Sequence, residues 1–223
     1  MHRTLLAAVA ALTVAPLASA HFVFVVPAKD GKTVQVVFSE DLDPDADVPI
    51  EKIAGLKLTA VTADGKSAPV ACKKAEHCLT GDLGATAPAL AYGSVTYGLM
   101  TRKDAKPALL VYHPKAVFAG ATGKPATVGE QAVVEVVPVT AGGKTKFQLL
   151  AAGKPVADAE GSVLKPDGSK EKVKTDKDGF TTAFDAIGRY AVWLRHTEAR
   201  AGEHDGKKYE EIKHYATLVA DAK

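Results

Sequence analysis

Four histidines hold most of the ligand chemistry in this 223-residue chain: His21, His113, His196 and His214. His21 follows Ala18-Ser19-Ala20, a small-x-small ending of the kind a signal peptidase cuts. Cleavage after Ala20 makes His21 the first residue. Its free α-amine and its own Nδ1 then grip one metal ion as a bidentate chelate. Both donors lose protons easily, since an α-amine titrates near ~8 and an imidazole near ~6.5. A second imidazole completes a T-shaped set of three nitrogens, a histidine brace. Nitrogen-rich tetragonal sites suit Cu(II) best and Ni(II) next. A plainer alternative makes His21 only the first residue of an edge strand.

The second imidazole is sought near the C-terminus. "YAVWLRHTEA" and "EIKHYATLVA" flank "RAGEHDGKKY" and read as a hairpin. By strand parity Tyr190, Val192, Leu194, His196 and Glu198 share one face, and Ile212, His214, Ala216 and Leu218 share another. Both sets carry the apolar residues, so both histidines point inward. A three-residue turn centred on Asp205, with Gly206 in the left-handed position, sets His196 directly opposite His214. A two-residue Asp-Gly turn shifts the register by one and parts them. Two close histidines also have a structural reading, bonded to backbone or to Glu198. His113 in "LLVYHPKAV" alternates with Val111 and is the reserve ligand, whereas His77 and His204 lie in polar loops.

Other chemistry is sparse. Cys72 and Cys78 predict one disulfide closing a small loop, as exported chains favour, with a metal clip of both thiolates and His77 as the rival. The run "SEDLDPDADVP" begins with calcium-loop spacing at Asp43, but Val48 and Ala54 stand where glycine and glutamate are required, so it reads as a solvated loop. No nucleophile elbow, zinc-protease, P-loop or dinucleotide fingerprint is present. Met1 and Met100 are the only methionines, which leaves no thioether-rich Cu(I) site.

The positioning elements read as strands. "HFVFVV", "TVQVVF", "LKLTAVTA", "ALLVYH", "AVVEVVPV" and "KFQLLAAG" are short and rich in β-branched and aromatic residues, with Asp-Gly turns between many of the strands. The pattern predicts an all-β chain of two antiparallel β-sandwiches. "AGATGKPATVGE" is the linker, which gives a leader at 1–20, an N-terminal β-domain at 21–125 and a C-terminal one at 126–223. The order of strands and turns from Leu149 to His196 resembles prealbumin-like and carboxypeptidase-regulatory-like sandwiches. Gly188-x-Tyr190 resembles a tyrosine corner.

Losing Arg3 with the leader leaves 27 basic against 26 acidic residues. With charges interspersed, nucleic acid is excluded as a partner. No segment after the leader has ~18 consecutive apolar residues, so no membrane span is expected. The expected location is periplasmic or secreted.

The leader ending in Ala-His, "FSEDLDPDADVPIEKIAGLKL", "YGLMTRKDAKPALLVYHPKAV" and "HTEARAGEHDGKKYEEIKHYATL" together resemble a bacterial exported family labelled the periplasmic component of cobalt or nickel uptake, NikM-like. The resemblance implies two β-domains, an envelope location and transition-metal handling, with His21, His196 and His214 at the matched positions. The resulting expectation is a copper protein, with nickel or cobalt as alternatives, that captures the ion or delivers it to a membrane transporter. Two rivals stand beside it: a copper oxygenase of polysaccharides, for which Trp193 lies on the wrong face, and an Ig-like interaction module without metal.

Overall fold

The computed structural model describes residues 21–84, 88–103, 105–118 and 121–223; the leader and its cleavage site lie outside the described residues. In chain order the strands are β1 Phe22–Pro27, β2 Thr33–Ser39, β3 Lys57–Thr62, β4 Ser67–Val70, β5 Cys72–Lys74, β6 Leu79–Asp82, β7 Pro88–Arg102 and β8 Ala105–Val117. After the linker come β9 Val134–Ala141, β10 Lys144–Ala151, β11 Lys154–Pro155, β12 Glu160–Leu164, β13 Lys170–Lys174, β14 Gly188–Glu198, β15 Gly202–His204, β16 Lys207–Tyr209 and β17 Glu211–Ala222. The described chain is mostly β, as its sequence pattern requires, with a few single-turn helices between strands.

One eight-stranded sheet, in the order β13-β12-β14-β17-β8-β7-β3-β4, forms the middle layer. Its neighbours are antiparallel except β17 and β8, which run parallel with His214 beside Val111 and Ala216 beside His113. The division at residue 125 therefore does not separate two sheets, because β17 from one side pairs along its length with β8 from the other. A parallel pair has no connecting hairpin turn, so no local signal in the sequence marks it.

Each face of this sheet carries its own core. On one, Tyr112, Trp193, Tyr215 and Val219 pack with Phe22, Val23, Phe38 and Leu79 of the four-stranded sheet β1-β2-β6-β5. On the other, Leu194, Ala216 and Leu218 pack with Val136, Phe147 and Leu149 of the small β11-β10-β9 sheet. Strands covered on both sides read as continuous apolar runs, as "FVFVV" does. Each fully buried Leu or Phe contributes about 1.5–3 kcal/mol by leaving water. Thr217 Oγ1 donates to the carbonyl of Val23 at 2.5 Å and fastens the aromatic-face layer to the central strand.

Two local features hold the C-terminal part in shape. A Cβ at Gly161 would lie 1.9 Å from the carbonyl oxygen of Trp193, so only glycine lets β12 approach β14. Tyr190, 1% exposed, donates from its hydroxyl to Ala186 O at 2.8 Å and forms the expected corner. Tyr190→Phe will lower stability by about 1 kcal/mol, read as a lower urea midpoint at unchanged slope.

Candidate metal centre

Three of the four histidines stand on one face of the middle sheet. His196 pairs with His214 across β14 and β17, in the register expected. The turn beyond them is not the expected three-residue type. Asp205 (φ 49°) and Gly206 (φ 73°) form a two-residue turn that pairs His204 with Lys207. The histidine register survives because β15 and β16 are a separate two-stranded ribbon. Between ribbon and ladder three residues, Ala199 to Ala201, stand against two, Glu210 and Glu211, and this difference absorbs the one-residue offset.

His113 reaches the same face from β8. Its Nε2 lies 3.0 Å from Nδ1 of His214, and Nε2 of His214 lies 3.2 Å from Glu198 Oε2. The ring of His196 lies parallel to that of His214, with centroids 6.1 Å apart. His113 and His214 are 6% and 3% exposed. Burial, aided by His214, pushes the His113 imidazole down to about 3. Burial also lowers His214, and the Glu198 carboxylate opposes that shift. Both rings are therefore neutral at pH 7.

In separation alone the two nitrogens match a pair of cis metal ligands. With metal–nitrogen bonds of about 2.0–2.1 Å, nitrogens 3.0 Å apart subtend about 95° at the ion. The carboxylate behind His214 is the usual outer partner of a ligating imidazole, which it orients and makes more basic. Without metal the same atoms form a hydrogen-bonded chain. Glu198 accepts from His214 Nε2–H, and His214 Nδ1 accepts from His113 Nε2–H. Among the described residues no group of three or more His, Cys, Asp or Glu is placed to hold an ion.

The brace of His21 with His196 and His214 is not assembled. His21 lies on the aromatic face, where its carbonyl accepts from Tyr112 O–H at 3.2 Å and its ring meets Phe38 edge-on at 5.9 Å. It borders a cavity of about 450 Å³ with Tyr97, Met100, Arg102, Tyr112 and Tyr215. The sheet itself separates it from the three histidines. Parity placed those three on one face, but nothing local told which face β1 would cover. The ring of His21 is held instead by Asp45, with Nε2 to Oδ2 at 2.9 Å. A bond from the Asp47 amide, followed by that from His21, lowers the Asp45 carboxyl. The acidic loop thus supplies one partner that spacing did not reveal.

Cys72 and Cys78 are free thiols rather than the expected disulfide. The β5–β6 register sets Gly81 opposite Cys72 and leaves Cys78 three positions further along. That offset is about 10 Å, beyond the ~7 Å that a disulfide spans between Cα atoms. His77 and His204 sit half-exposed beside Glu76 and Asp205, in polar surroundings.

Sequence reasoning missed Lys115 and Glu135. Lys115, 1% exposed, donates to Glu135 Oε2 at 2.5 Å and to Ala126 O at 2.8 Å. Its parity with His113 in β8 was the available signal.

No protein-family model matches the chain, and no curated protein matches it. Among solved structures, the pullulanase from Anoxybacillus sp. LM18-11 aligns with a TM-score of 0.20 and 10% identity, over 78% of this chain and 23% of that one. The chain thus spans under a quarter of that enzyme, and a score so low carries no argument about fold or function.

Proposed function

We propose that the protein is an exported carrier that binds one divalent transition-metal ion between His113 and His214. The supporting observation is the 3.0 Å approach of two buried, neutral imidazole nitrogens with a carboxylate behind one of them. The His113 proton moves from Nε2 to Nδ1 when the ion takes its place. A cis angle near 90° with nitrogen donors favours Cu(II) and Ni(II) over tetrahedral ions, with Co(II) the further alternative. Water fills the remaining positions. His196, on the same face, offers a third nitrogen at the margin of the site. The small-x-small ending before His21 and the resemblance to exported metal-uptake proteins support a periplasmic or secreted location and delivery to a membrane transporter. Protons compete for the imidazoles, so binding weakens as pH falls.

Calorimetric titration with Cu(II), Ni(II) and Co(II) tests the reading on the chain starting at His21, and on the same chain with one alanine added before it. Both forms are expected to bind one ion equally. His214→Gln, folded by circular dichroism, is expected to lose at least about 100-fold in affinity. If the added alanine abolishes binding and His214→Gln leaves it intact, the ion sits at the N-terminus and this centre is wrong.

A further inference from the structure

The far side of His113 opens on a second feature. A cavity of about 530 Å³ lies over β3, β7 and β8, walled by Val128 from the end of the linker and Val134 from β9. That volume falls within the ~300–1,000 Å³ of small-molecule sites. Its inner wall is His113. The hydrogen-bonded chain from Glu198 through His214 takes up Nε2 of that ring, which leaves Nδ1 as a lone-pair acceptor. Among the described residues Nδ1 has no partner, yet no fully buried side-chain nitrogen or oxygen lacks one. Nδ1 therefore reaches open space, and this cavity is the one His113 borders.

The floor carries more polar groups without partners. Thr59 on β3 and Tyr92, Ser94 and Thr96 on β7 line the cavity from the same face as His113. Their hydroxyls have no hydrogen bonds among the described residues. Lys57, next to Ser94 in the register, adds an exposed ammonium without an ion pair among those residues. Lys115 and Glu135 also line the cavity but neutralise each other. The site thus offers one uncompensated positive charge, several hydroxyls and one buried acceptor, with the Tyr92 ring as an apolar face. One lysine and no arginine is too little charge for a phosphorylated ligand.

We infer that this cavity binds a free sugar acid of monosaccharide size. Its carboxylate pairs with Lys57, one of its hydroxyls donates to His113 Nδ1, and the others bond to the floor. The inference does not depend on metal binding and is tested on EDTA-treated protein. Calorimetry with D-glucuronate, D-glucose and acetate is expected to show one glucuronate per chain, glucose at least about tenfold weaker, and no binding of acetate. Lys57→Met should bring glucuronate down to the level of glucose, and Thr96→Val should weaken both sugars about fivefold. Both positions are exposed, so neither variant threatens the fold. The ¹⁵N resonance of His113 Nδ1 is expected to move on glucuronate addition. Absence of glucuronate binding, equal binding by wild type and Lys57→Met, or an unmoved His113 resonance would overturn the inference.

Discussion

Lys115→Met will cost about 3–5 kcal/mol of folding free energy. The ammonium is fully enclosed, and what holds it is one carboxylate and one carbonyl. Methionine fills the same volume, so the loss is not one of packing. It comes from Glu135, 2% exposed, left as a buried anion without its counter-charge. The carboxylate also accepts from the amides of Val128 at 3.0 Å and Gly129 at 2.7 Å, which pins the end of the linker against the sheet. Those amides explain why Lys115→Met/Glu135→Leu will not recover stability: it removes the charge but orphans two donors. Lys115→Met/Glu135→Gln keeps an oxygen for them and is expected to return to within about 1 kcal/mol of the parent. Urea midpoints at constant slope measure all three proteins. A single variant as stable as the parent would show that the pair is not the clamp described.

The metal-free protein will be about 2 kcal/mol less stable at pH 5 than at pH 8 through His113 alone. The ring titrates near 6.5 when unfolded and is pushed down to about 3 when folded. Its contribution is thus complete above about 6.5 and is lost as pH falls from there towards 3, because the unfolded chain takes the proton first. His214, also lowered by burial, acts in the same direction. The charged groups facing this face are Glu198 and Arg200 beside His214, the paired Lys115 and Glu135, and Lys57 on the shared cavity. His113→Gln removes the titrating ring. The difference in slope of unfolding free energy against pH, between it and the parent in EDTA, isolates the effect. Parallel curves would contradict it.

Much of the sheet was legible because strand parity is a two-residue rule that needs only local sequence. It puts both His196 and His214 inward, whereas their pairing across the strands depends on the offset between ribbon and ladder rather than on the turn type. Layer assignment was not legible in the same way. Whether "HFVFVV" covers the aromatic or the histidine face depends on which of two similar apolar surfaces it meets, and both are rich in Val, Leu and Ala. The His21–Asp45 contact, 24 residues apart along an irregular loop, follows from no periodicity. Free cysteines were hidden by the same limit. Their proximity in sequence suggested a bridge, and only the β5–β6 register separates them.

The middle sheet closes only through β17, at residues 211–222, seated between β14 and β8. Growing from its N-terminus, the polypeptide lays β8 against β7 at once, but it has nothing for the other edge of β8 until about 100 further residues have been made, so the middle sheet is completed last. Until that late strand docks, the nascent chain stays open. Through that interval the unpaired edge of β8 is exposed to proteases and chaperones.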